Sequence, residues 1–159
     1  MLVALCGARA AHALGQKAFV LHEAAAGAVA LVHEGRAAAV HVDANDDPGV
    51  IRAASDLQAD IERVSTVRPA LVKGDSPAGR DVVIVGTLGQ SALIDRLVKS
   101  GAIDVSGVLG RWEGFLIQAV ARPMPGVERA LVIAGSDRRG TIFGVYEISE
   151  QIGVSPWYW

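Results

Sequence analysis

The sequence holds a single cysteine, Cys6. An internal disulfide and a cysteine-rich metal site are therefore both excluded. Aromatic residues are scarce, at 5% of the chain, and two of the three tryptophans, Trp157 and Trp159, lie in the last three positions. No apolar run is long enough to span a bilayer as a helix, so no membrane association is expected. Charge of one sign is also missing. Fifteen Lys and Arg against seventeen Asp and Glu leave a formal net charge of −2. There is thus no basic field to attract a nucleic-acid backbone and no acidic tail. Chemistry-bearing motifs are equally thin. His12, His22, His33 and His41 are scattered through the N-terminal quarter without the i, i+4 spacing of a zincin, and read as surface or strand-face residues. No G-x-S-x-G elbow supports a triad hydrolase.

What remains is the composition of a folded domain. Half of the 159 residues, 51%, are apolar, with much Ala, Val and Gly. A chain of this length fits one domain and can bury about two-thirds of its unfolded surface. Residues 1–17 read either as a degenerate signal peptide or as a disordered tail. Leu2 to Cys6 is apolar and Ala11-His12-Ala13 has the small-x-small form of a cleavage site, but no charged region precedes the run and Arg9 interrupts it. Residues 18–155 read as the folded domain.

Two apolar runs, Ala28–Val32 and Ala37–Val42, flank His33-Glu34-Gly35-Arg36 and suggest a hairpin. Asp46-Asp47-Pro48 signals a helix start, with an Asp cap and Pro in the first turn. Val50, Ala54, Leu57, Ile61 and Val64 then form one apolar stripe over about four turns. Pro69–Val72 is a short strand candidate, followed by a Gly/Pro/Ser loop from Lys73 to Arg80. Asp81–Gly86 is a continuous β-branched run, as expected for a strand covered on both faces. Gly89-Gln90-Ser91 opens a helix with Leu93, Ile94, Leu97 and Val98 inward, closed by Gly101. Trp112–Ala121 reads as a strand, Pro123–Gly126 as a turn and Arg129–Ala134 as another buried strand. The last helix runs from about Arg138 to Gln151. The order β-β-α-β-β-α-β-β-α predicts an α/β fold, a mixed β-sheet flanked by helices.

Two loops sit where an open α/β sheet places its ligands, between the C-terminal end of a buried strand and a helix. Gly86-Thr87-Leu88-Gly89 lacks both the G-x-G-x-x-G spacing and a P-loop Gly-Lys-Ser/Thr, so it reads as a plain turn. Gly135-Ser136-Asp137-Arg138-Arg139-Gly140-Thr141 carries more chemistry. Ser136 or Asp137 can cap the helix. Arg138 and Arg139 bring planar donor forks suited to carboxylates. The structural alternative is a cap plus an ion pair at a domain interface. Glu147 and Glu150, three apart on the last helix, read as a solvated face. Trp157, Tyr158 and Trp159 read as packing or docking aromatics, or as a sugar-stacking platform.

Gly135 to Tyr146, together with Ser149-Glu150-Gln151-Ile152-Gly153-Val154-Ser155-Pro156-Trp157-Tyr158-Trp159, resembles the N-terminal signature of glycoside hydrolase family 115, the xylan α-1,2-glucuronidases. Ala53–Ile61, Val85–Gly89 and Gly110-Arg111-Trp112-Glu113-Gly114-Phe115 resemble the same family. The resemblance implies a non-catalytic N-terminal domain of a glycosidase. Such enzymes remove glucuronic acid or its 4-O-methyl ether from xylan with inversion and without a cofactor. It also implies a partner, a (β/α)8 catalytic barrel of the same protein, entered at residues 156–159. That barrel would supply the acid and base carboxylates, spaced to admit a water.

No catalytic residue is therefore expected in this chain. Ser136, Asp137, Arg138, Arg139, Trp157 and Trp159 are the expected pocket-edge residues toward glucuronoxylan or its oligosaccharides. Neither a metal nor another cofactor is expected, a homodimer is left open, and the resemblance implies a periplasmic or extracellular location. A stand-alone carbohydrate-binding, interaction or scaffold module is the alternative, and the loop spacing ranks a nucleotide-binding domain below both.

Overall fold

Each helix starts where its first turn finds a side-chain acceptor. Asp47 accepts from the Gly49 N–H ahead of α1 (Pro48–Ser65), Ser91 from the Ile94 N–H ahead of α2 (Ala92–Lys99), and Asp137 from the Gly140 N–H ahead of α3 (Arg138–Gln151). These bonds satisfy donors that the helical ladder leaves open. The chain is seen in a computed structural model that describes residues 2–3, 9–11, 18–22, 25 and 27–154.

Eleven strands are present among the described residues: β1 (Leu2–Val3), β2 (Arg9–Ala11), β3 (Val20–Leu21), β4 (Val29–Ala30), β5 (Val32–His33), β6 (Arg36–Ala37), β7 (Ala39–Val42), β8 (Leu71–Lys73), β9 (Gly79–Thr87), β10 (Phe115–Met124) and β11 (Val127–Gly135). Six of them form the main sheet in the order β2-β10-β11-β9-β7-β8. β8, β7, β9 and β11 run parallel, while β10 is antiparallel to both β11 and β2. The sheet is thus mixed and flanked by three helices, as the alternation of elements predicts.

Period-two alternation sends each strand's side chains to two cores. Val40 and Val42, Val83 and Val85, Leu131 and Ile133 meet α1 and α3 on one face. Val82 and Ile84, Ala130 and Val132 meet α2 on the other. The continuous β-branched run of β9 is therefore covered twice. Along α1, Val50, Ala54, Leu57 and Ile61 are fully buried, but Val64 is 39% exposed, because the stripe has left the sheet by the last turn.

Three sequence expectations are corrected. The first hairpin is smaller than the two apolar runs suggest: β5 and β6 turn through Glu34 and Gly35, both at positive φ, whereas β7 joins the main sheet. The strand expected from Trp112 starts at Phe115, because Glu113 adopts φ 56° and breaks the extended run. Glu147 is not on a solvated face. It is 7% exposed, and Gln151 donates to it while accepting from the Phe19 N–H, so an N-terminal segment covers it. His41 takes the strand-face alternative of the sequence reading. It lies in β7 between Val72 and Ile84, is 3% exposed, and neither ring nitrogen has a partner. The expectations for residues 4–8, 12–17 and 155–159 fall outside the described residues, and no described helix is long and apolar enough to cross a membrane.

Burial pushes His41 below its ordinary pKa of 6.5, since a charged imidazole without partners is poorly solvated there. As pH falls below 6.5 the unfolded chain takes up this proton before the folded one, so stability declines through that window until the folded value is passed. Urea melts at pH 7.5 and 5.0 are expected to show that decline. His41→Leu is expected to remove part of it, and an unchanged pH difference in the variant would exclude His41 as the source.

Candidate functional site

Three parallel strands, β7, β9 and β11, end at the same sheet edge, at Val42, Thr87 and Gly135. After β7 the chain leaves for α1 on one face, and after β9 it leaves for α2 on the other. Such a topological switch opens a crevice at the strand ends. Here the crevice is filled by the chain itself. Asp43 accepts from the Ala92 N–H at the start of α2 at 2.9 Å, and Asp46 accepts from the Thr87 N–H at 2.8 Å. Both side chains belong to residues only 4% exposed. Burial pushes the Asp46 carboxyl above its ordinary range. The N–H groups of Thr87 and Asp47 act against this shift, and the nearby Asp43 adds to it. The donors that would greet an anion are therefore occupied, which agrees with the missing glycine spacing of the loop after β9.

The open cleft lies one strand further along, between the ends of β9 and β11, with a volume of about 540 Å³. Asp137 organises it. One carboxylate oxygen accepts from the Gly140 N–H and the other from the Glu113 N–H, both at 2.8 Å. Burial acts to raise the Asp137 pKa, but the N–H groups of Gly140, Glu113 and Arg139 and the Arg139 guanidinium outweigh it and hold the carboxyl below 3.8. Ser136 adds a second tie. Its N–H donates to the Gly114 carbonyl at 2.8 Å and its hydroxyl donates to the same oxygen at 3.0 Å. The Arg111–Gly114 loop is thereby fastened to the start of α3.

Glycines make that fastening close. A Cβ on Gly140 would stand 2.2 Å from the Gly114 carbonyl oxygen, and one on Gly135 would stand 2.2 Å from the Thr141 backbone nitrogen. Below the cleft floor, the hydroxyls of Thr87 and Thr141 bond to each other at 2.8 Å. Strand ends, loop and helix start thus form one tightly joined seam.

The two arginines are held differently. Arg138 reaches Asp47 at 3.4 Å across the cleft mouth. Arg139 pairs with Glu113 at 2.9 Å, and its guanidinium carbon lies 6.0 Å from the Trp112 ring centre and 5.9 Å from that of Phe143. Cation–π contact at such distances adds modest attraction at an exposed position. Trp112 itself is 78% exposed.

The structure brings Ser136, Asp137, Arg138 and Arg139 to one cleft. Trp157 and Trp159 lie outside the described residues. Trp112, Asp47, Thr87 and Gln90 also line the cleft and are not among the expected site residues. For Trp112 a signal existed: an isolated tryptophan between Gly110 and Gly114 fits a turn better than a strand. Among the described residues no group of three or more His, Cys, Asp or Glu could hold a metal ion.

The seam makes two variants informative. Asp137→Ala removes a cap and leaves the Glu113 N–H without its acceptor, and is expected to cost about 1–2 kcal/mol. The carboxylate's contribution is present above pH 3.8 and fades as pH falls through the lower folded value. Gly140→Ala forces a backbone separation and is expected to cost more, about 3 kcal/mol. Chemical denaturation of both variants checks the order, and a Gly140→Ala protein as stable as the parent would contradict the close approach.

One solved structure similar to this chain is a family GH115 4-O-methyl-α-glucuronidase with specificity for decorated arabinogalactans. The two share 30% sequence identity with a TM-score of 0.59, over 77% of this chain and 14% of that one. No known protein-family profile and no curated protein matches the sequence. The chain spans 14% of the length of the glucuronidase, and its mixed sheet with flanking helices is the α/β fold of one domain-sized part of that protein.

Proposed function

We propose that this chain is the non-catalytic N-terminal α/β domain of a family 115 α-glucuronidase. The observation that carries this reading is the 30% identity and shared fold over 77% of the chain. In the proposed parent protein, a (β/α)8 barrel supplies the general acid and base and removes glucuronic acid or its 4-O-methyl ether with inversion. The α/β domain flanks that barrel. Xylan is the polymer implied by the sequence motifs, whereas the similar glucuronidase has specificity for decorated arabinogalactans. The reading therefore covers polysaccharides that carry glucuronic acid side chains, met in the periplasm or outside the cell.

The carboxylates around the cleft support a supporting role over a catalytic one. An inverting pair needs one raised acid and one free base about 6.5–9.5 Å apart across a water. Here Asp137 is held ionised by backbone donors, Asp47 caps α1 and pairs with Arg138, and Glu113 pairs with Arg139. Each is committed to holding the backbone or a cation in place.

Incubation of the purified chain with glucuronoxylan and with a uronate-decorated arabinogalactan is expected to release no glucuronic acid or 4-O-methylglucuronic acid by anion-exchange chromatography. Release by the chain alone would overturn the non-catalytic reading. The full-length gene product is expected to release the uronic acid from at least one of the two polymers, and its inactivity on both would overturn the family assignment.

A further inference from the structure

A pyranose ring presents one C–H-rich face and a rim of hydroxyls that both donate and accept. A site for it needs a flat apolar surface held still, with planar polar side chains beside it. The cleft between β9 and β11 has both. Trp112 is 78% exposed, and the nearby Arg139 guanidinium, with its carbon 6.0 Å from the ring centre, is itself held on Glu113 at 2.9 Å. Most of the indole is therefore open to a ligand. The loop carrying Trp112 is tied at its backbone by Asp137 and Ser136, so little ordering remains for a ligand to impose. Asp47, Arg138 and the exposed amide residue Gln90 stand around the same cleft.

We propose that this cleft is a carbohydrate site in its own right, which binds pyranose rings of a polysaccharide backbone on Trp112 with Asp47, Gln90 and Arg138 as its polar rim. It adds to the proposed domain role a task separate from the barrel's reaction. The charges favour a neutral ring over a phosphate or nucleotide. Arg138 is paired with Asp47 and Arg139 with Glu113, so no net positive field remains. The lining also disfavours a protein partner, because the fully buried core of a protein interface is depleted of charged residues, whereas this cleft is walled by Asp47, Asp137, Arg138 and Arg139.

The test is affinity electrophoresis of the 159-residue chain in native gels containing glucuronoxylan or arabinogalactan, with titration of xylohexaose followed by calorimetry. Retarded migration is expected in at least one polymer. Trp112→Ala is expected to weaken binding about tenfold or more and Trp112→Phe less, since Phe keeps a smaller face. Gln90→Ala is expected to weaken it several-fold. Tyr146→Ala, outside the cleft, is expected to leave it unchanged. Circular dichroism of the Trp112 variants should match the parent, because the side chain is mostly in solvent. Absence of retardation by both polymers, or full binding by Trp112→Ala, overturns the proposal. So does a Trp112-dependent self-association, seen by sedimentation, in a chain that ignores both polymers. The glucuronidase reading is judged separately by uronic acid release from the full-length product, so either can fail without the other.

Discussion

The geometry of the cleft depends on one carboxylate. Asp137 accepts from two backbone N–H groups that belong to different parts of the chain, Gly140 in the first turn of α3 and Glu113 in the loop before β10. A side chain that only capped its helix would leave that loop free to choose its own position. Because the second oxygen takes the Glu113 N–H, the loop's height above the sheet is set by the helix. Trp112, Glu113 and Arg139 follow from that placement. Gly114, where the loop feeds into β10, is held again by Ser136 and approached by Gly140 so closely that no side chain fits between them. The sheet edge, the loop and the helix thus act as one rigid unit rather than as three neighbours.

This rigidity is built from local rules. A cap needs only an acceptor in the right place, a close approach needs only a missing Cβ, and both are written into a short segment. That is why so much of the seam was legible in the sequence. Asp47 as a cap, Ser136 or Asp137 as another, the helix opening at Gly89 to Ser91, the double-sided burial of Val82 to Val85, and the alternation of strands and helices all follow from neighbours within a few residues. So does the grouping of Ser136, Asp137, Arg138 and Arg139 at a strand end.

What escaped the sequence depends on partners far along the chain. Glu147 looks like a helix-surface acid until Phe19 and Gln151 come to lie over it. His41 looks like one of four scattered histidines until Val72 and Ile84 flank it in the sheet. Trp112 was read as part of the strand that follows it, because the apolar run of β10 begins just after and outweighed the flanking Gly110 and Gly114 that mark a turn. Its place at the cleft is settled by hydrogen bonds from residues more than twenty positions away. Local periodicity carries no information about such long-range ties.

Asp43 and Asp46 give the strand ends a further meaning. Their carboxylates occupy donors at the switch point, so the fold carries an internal substitute for the anion that such crevices attract. The substitute is covalently attached and cannot dissociate, which makes this corner permanently filled at any concentration of free phosphate or nucleotide. Loss of Asp46 would leave the buried Thr87 N–H without its acceptor. The neighbouring cleft differs, because the side chains at its rim can be exchanged without unsealing the sheet.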